Sequence, residues 1–221
     1  MIDQNGRPVA VGRDYDRAEI ALDGVVHGVG LVFGVVGVTV LIVFAARSSG
    51  IGDLPVAIVY ATSLLAMLGF SAAYNLWPVS RIKWVLRRFD HSAIYLLIAA
   101  TYTPFISWMK NGPLASALLV GIWLVAAVGI ALKLTLPGRF DRLSLVLYLL
   151  LGWSGVMMYD AIIALPATTL WLLGAGGLLY TLGVIFHLWE GLRFQNAIWH
   201  SFVVLAAACH YTAVLDHLGV A

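Results

Sequence analysis

Charge is what this sequence has least of. Of its 221 residues only 11% are Asp, Glu, Lys or Arg, against about a quarter in an ordinary soluble domain. With 62% hydrophobic residues and a mean hydropathy of +0.94, too little polar surface remains to cover a fold in water. The apolar runs must therefore face lipid or one another. A formal net charge of +2 offers no basic face able to displace the counterions of phosphates, so nucleic acid is excluded as a partner. One cysteine, Cys209, rules out an intrachain disulfide; within an apolar run it is expected to pack as a small hydrophobe. Lysine occurs only at positions 83, 110 and 133, so the last apolar run has none for a retinal Schiff base. Charges in mid-run, the mark of coupled transporters and channels, are scarce, which disfavours those classes. No cleavable leader is expected. The first apolar run starts near Gly24, is long enough to span, and follows a polar segment holding Arg7, Arg13 and Arg17.

A bilayer crossing needs about 20 mostly apolar residues. Runs bounded by charge, Pro and Gly predict an all-α membrane protein, a bundle of seven transmembrane helices in one domain over residues 24–221, preceded by an N-terminal segment 1–23. The helices are expected at about 24–46, 54–77, 91–109, 114–133, 141–160, 167–188 and 196–218. Pro55, Pro113 and Pro166 fall near helix starts, where the missing N–H costs little, whereas Pro104 should kink the third helix. Eleven of the thirteen Lys and Arg residues lie in 1–23, 78–90, 133–142 and 189–195, leaving Arg47 and Lys110 for the other side. That bias predicts a cytoplasmic N-terminus and an external C-terminus. Trp77, Trp84, Trp108, Trp189 and Trp199 sit near span ends, as interfacial anchors do. The glycines at 28, 30, 34 and 37, and at 174, 176 and 177, permit close helix contacts within one chain or in a homo-oligomer.

Polar residues in or at the mouths of spans carry the functional information. Ser71 and Asn75 share a face at the end of the second helix, a spacing that also suits a polar pair joining helices. Asp90, followed by His91, opens the third helix, where a carboxylate is an ordinary cap. Asn196 and His200 repeat the four-residue spacing on the seventh helix, a spacing also used by paired metal ligands. His210 lies about 15 Å further along that helix at 1.5 Å per residue, too far to share an ion with His200. His27 in the first helix and His210 in the seventh, as further pocket residues, and His187 at the end of the sixth complete the candidates. Together Ser71, Asn75, Asp90, Asn196 and His200 are expected at one membrane depth, forming a polar pocket.

The segments Ala21-Leu-Asp-Gly-Val-Val-His27-Gly28, Ser71-Ala-Ala-Tyr-Asn75, Phe89-Asp90-His91-Ser92-Ala93-Ile94 and Ala100-Thr101-Tyr102-Thr103-Pro104-Phe105 resemble the hemolysin III family. So do Tyr180-Thr181-Leu182-Gly183-Val184-Ile185-Phe186 and Ala197-Ile198-Trp199-His200-Ser201-Phe202-Val203. That family is related to the adiponectin and progestin receptor proteins, which share a seven-helix plan with the N-terminus in the cytoplasm. The resemblance implies a bacterial inner-membrane protein acting in membrane lipid homeostasis or lipid binding. It also implies zinc, held by a histidine after Ser-x-x-x and by a His-x-x-x-His pair, with an Asp that orients a water for lipid amide hydrolysis. Ser71, Asp90 and His200 match this pattern, but Asn75 and Asn196 stand where two of the three zinc histidines belong. An amide is a poor zinc ligand beside imidazole. The expectation is therefore an altered zinc site in a lipid-handling membrane protein. The alternative is an active metal-dependent hydrolase with His187 or His91 as substitute ligand, and a transporter or channel ranks third. A secreted pore-forming toxin is not expected of so hydrophobic a chain.

Overall fold

The fold is described from a computed structural model covering residues 15–47, 53–107, 112–158 and 165–218. Its α-helices are α1 (Arg17–Arg47), α2 (Asp53–Leu76), α3 (Arg81–Ser107), α4 (Gly112–Thr135), α5 (Asp141–Trp153), α6 (Ala167–Leu188) and α7 (Gln195–His217), with a 3-10 helix at Ser154–Met158 between α5 and α6. Five of them, α1, α2, α4, α6 and α7, are long and apolar enough to cross a membrane. α3 has the length but carries polar residues along it, and α5 is short.

Two helices start earlier than their apolar runs. α1 was expected from residue 24 but begins at Arg17, because Asp16 and Glu19 form a reciprocal capping box. The Glu19 N–H donates to Asp16 Oδ1 at 2.8 Å and the Asp16 N–H donates to Glu19 Oε2 at 3.0 Å. The first of these bonds holds the Asp16 carboxyl below its ordinary range. α3 was expected from residue 91 but begins at Arg81, where the Ser80 hydroxyl accepts the Lys83 N–H at 3.3 Å. The basic stretch after Pro78 is thus mostly helix, not loop. α5 was expected to reach 160, yet its regular turns end at Trp153. There the Tyr102 hydroxyl donates to the carbonyls of Gly152 (2.6 Å) and Leu151 (3.1 Å) and accepts the Gly155 N–H (2.7 Å), which draws the chain into the 3-10 turn. Residues 159–164 and the predicted ends of helices at 108–109 lie outside the described residues.

Packing divides the bundle into two cores. α1, α2, α3 and α7 meet around Leu41, Tyr60, Leu64, Leu68, Leu97 and Val214. α3, α4 and α5 meet around Tyr95, Ile106, Ile122, Ala126 and Leu151. α6 packs mainly on α7 and touches α5 only sparsely. Outward faces are apolar, as at Val32 and Phe33 of α1, Leu124 and Val128 of α4, and Trp171 and Ile185 of α6, which makes this a helical membrane bundle. Most of the glycines noted above serve contacts inside the chain: Gly30 and Gly34 admit Leu68 of α2, Gly37 admits Tyr211 of α7, and Gly177 admits Trp153.

At one end of the second core, α3, α4 and α5 converge on one carboxylate. Asp141 Oδ2 accepts from Arg87 Nη2 at 2.6 Å and Oδ1 from Lys133 Nζ at 2.7 Å. Arg87 and Lys133 are buried while the Asp141 side chain is 36% exposed. Replacing Asp141→Asn strands two buried cations and should cost about 1–3 kcal/mol. The expected readout is a lower thermal midpoint of the detergent-solubilised protein; an unchanged midpoint would mean that water already solvates both cations. A second expectation concerns α6. A Cβ on Gly176 would overlap the His210 ring and come 3.2 Å from the Ala206 carbonyl oxygen, whereas one on Gly174 meets nothing within 4 Å. Gly176→Ala should destabilise by about 1–3 kcal/mol and Gly174→Ala should be neutral in the same melt.

Candidate functional site

Three helices each deliver a pair of polar residues one turn apart, and the three pairs meet. α1 supplies Asp23 and His27, α2 supplies Ser71 and Asn75, and α7 supplies Asn196 and His200. The four-residue spacing puts both members of each pair on one helix face. The turn into α7 is shaped for this: Phe194 sits at φ 60°, a left-handed conformation costly for a side-chain-bearing residue, and its N–H donates to Glu19 Oε1 of α1 at 3.0 Å. That bond ties the start of α7 to the first turn of α1.

Asp23 is the centre of the cluster. His200 Nδ1 lies 2.7 Å from Asp23 Oδ1. A carboxylate only accepts, so Nδ1 carries a proton and Nε2 is the ring nitrogen that faces the Asn75 amide. Asn75 Nδ2 lies 3.4 Å from that Nε2 and donates to the Ser71 carbonyl at 2.9 Å. Asn196 Nδ2 donates to Asp23 Oδ2 at 2.8 Å and to Asn75 Oδ1 at 3.1 Å. His27 Nδ1 is 2.8 Å from the Asp23 carbonyl oxygen and 3.5 Å from Asp23 Oδ1, and its Nε2 is 3.2 Å from Ser71 Oγ. The two imidazole centroids are 4.3 Å apart. Asp90 of α3 lines the same cavity as Ser71 and His200.

Asp23, Ser71, Asn75, Asp90, Asn196 and His200 line a cavity of about 1440 Å³. Its lining also includes Leu149 and Trp153 of α5 and Leu173 and Val184 of α6. The cavity lies where those two helices fail to pack closely. The Trp153 indole N–H, donating to Thr181 Oγ1 at 3.0 Å, is one of the few ties across that gap.

The structure thus gathers Ser71, Asn75, Asp90, Asn196 and His200, and adds His27. Three other histidines, His91, His187 and His210, line the same cavity outside the Asp23 cluster. His187 stands on the cavity wall with its ring 4.9 Å from that of Trp199. His91 turns toward α5, with Nδ1 3.9 Å from Asp141 Oδ1 and its carbonyl accepting the Tyr148 O–H at 2.8 Å. His210 sits deep in the bundle, its Nε2 3.3 Å from the Leu173 carbonyl of α6. Asp23 was missed as a site residue because the apolar run begins one position later; its four-residue spacing to His27 was the available signal.

The residues at positions 75, 196 and 200 do not fit zinc. They offer one imidazole and two amides, and the amide N–H groups are committed to Asp23, Ser71 and each other. A different set does converge. Asp23, His27 and His200, all buried, each bring one possible ligand atom to within 4.8 Å of the others, a group that could hold a metal ion.

The Haemolysin-III related family model matches residues 18–211, which include every member of this cluster. The chain is 36% identical over 200 residues to the Hemolysin-3 homolog of Bacillus subtilis (strain 168), covering 90% of this chain and 93% of that one. It is also 36% identical to Hemolysin-3 of Bacillus cereus, with 91% and 92% covered. Similarity extends to the human Monocyte to macrophage differentiation factor, at 34% identity over 166 residues, 72% of this chain and 69% of that protein. With the family model matching residues 18–211 and 36% identity to two relatives over nine-tenths of its length, the chain belongs to the haemolysin-III related family of membrane proteins.

Proposed function

We propose that this protein is a multi-pass component of a bacterial plasma membrane that holds a membrane lipid in its cavity and acts in membrane lipid homeostasis. The observation that carries this reading is the cavity itself, whose lining joins the polar residues Ser71, Asn75, Asp90 and Asn196 to apolar residues of α5 and α6 such as Leu149, Leu173 and Val184. A pocket for a drug-sized ligand measures about 300–1,000 Å³; this one is larger. A lipid matches this lining, with the headgroup against Ser71, Asn75, Asp90 and Asn196 and the acyl chain along Leu149, Leu173 and Val184. The sparse α5–α6 contact supplies a side entrance from the bilayer. The Lys and Arg bias supports a cytoplasmic N-terminus, which puts these polar residues of the cavity on the cytoplasmic side. Bacterial relatives of nearly equal length support the plasma membrane as its location.

The test is lipid content. The protein is purified in detergent with extensive washing, extracted, and its lipids are quantified by mass spectrometry. About one tightly held lipid per chain is expected. In Gly174→Trp an indole is placed on the cavity wall at a position with open space around it, so lipid retention should fall about tenfold, an effect of about 1.4 kcal/mol on occupancy. A lipid-free wild type, or equal retention by the folded Gly174→Trp variant, would refute a cavity-bound lipid.

A further inference from the structure

We propose that Asp23, His27 and His200 form a site for one divalent transition-metal ion of the zinc or cobalt type, displaced from positions 75 and 196 onto α1. The inference stands on the side-chain geometry of the cluster and does not depend on the lipid reading.

Both Nδ1 atoms face the same carboxylate oxygen: His200 Nδ1 is 2.7 Å and His27 Nδ1 is 3.5 Å from Asp23 Oδ1. Ligands each about 2.1 Å from a tetrahedral ion lie about 3.4 Å apart, so small side-chain movements complete the set. On binding, the ion takes the place of the protons now held between these atoms, and His27 gives up its contact with the Asp23 carbonyl oxygen. Two imidazoles and a carboxylate are the donors that borderline dications favour, and three protein ligands leave a coordination position open. Asp23 and His200 both border the cavity, so the open position is reached from there.

The outer atoms of all three ligands already have partners. Asn196 Nδ2 holds Asp23 Oδ2, Ser71 Oγ faces His27 Nε2, and the Asn75 amide lies against His200 Nε2, where it turns its oxygen to accept the proton that Nε2 holds once Nδ1 binds the ion. Metal ligands are oriented by such outer contacts, whose loss costs about 10–100-fold in affinity. The two asparagines therefore act as supports of the relocated site and not as ligands. Exposures of 4%, 6% and 7% for Asp23, His27 and His200 put the site in a low-dielectric setting, where a dication balances the buried carboxylate.

The experiment uses the full chain in detergent, stripped with a chelator and titrated with Co²⁺, read by the visible d–d absorption of the bound ion and by elemental mass spectrometry. The expected result is about one Co²⁺ per chain with a tetrahedral-type spectrum. Asp23→Asn and His27→Gln should each abolish it, and Asn75→Ala and Asn196→Ala should keep the spectrum while weakening binding about tenfold. Asp23→Asn is nearly isosteric, so it answers the question even if His27→Gln fails to fold, as judged by size-exclusion profile and melting. No uptake by the folded wild type overturns the proposal. So does uptake that survives Asp23→Asn and His27→Gln but is lost in Asn75→Ala or Asn196→Ala, which would place the ion at positions 75, 196 and 200. Uptake indifferent to all four variants also overturns it, placing the ion elsewhere on the chain.

Discussion

A carboxylate buried in a membrane protein has to be surrounded by donors, and Asp23 imposes that requirement on three helices at once. An unpaired charge there would cost several kcal/mol. His200 and Asn196 of α7 donate to it, and Asn196 in turn grips Asn75 of α2. The polar end of the bundle is therefore a closed network in which each side chain is positioned by its neighbour on another helix. Glu19, one face-turn before Asp23, works in the same direction by capping both the start of α1 and the start of α7.

A second carboxylate organises the other half. Asp141 gathers Arg87 and Lys133, so α3, α4 and α5 are tied at their charged ends while their apolar faces interlock around Tyr95 and Ile122. The two halves share α3 and leave α5 and α6 with little to hold them together. The cavity is lined from both halves, by Asp23 and His200 of one and by Arg87, Lys133 and Asp141 of the other.

The hydropathy of the sequence marked the five helices long and apolar enough to cross a membrane, since lipid-facing and core-facing residues are alike apolar. It placed the starts of α1 and α3 late, because Asp16, Glu19 and Ser80 extend those helices through polar stretches by capping. The end of α5 depended on a hydroxyl from Tyr102, a contact 50 positions distant in sequence and so invisible to local pattern. Within the site, the four-residue pairs on α2 and α7 were legible as pairs. Their mutual hydrogen bond through Asn75 and Asn196 was not, and neither was the central part played by Asp23. Both depend on which faces three separated helices turn toward each other.

The 3-10 segment after α5 also has a consequence for biogenesis. Thirteen α-helical residues extend about 20 Å, short of a hydrocarbon core of about 30 Å. Five more in 3-10 conformation, at about 2.0 Å each, add about 10 Å. The last described turn of this segment is held by Tyr102 of α3, so its geometry is completed only once α3 stands beside it.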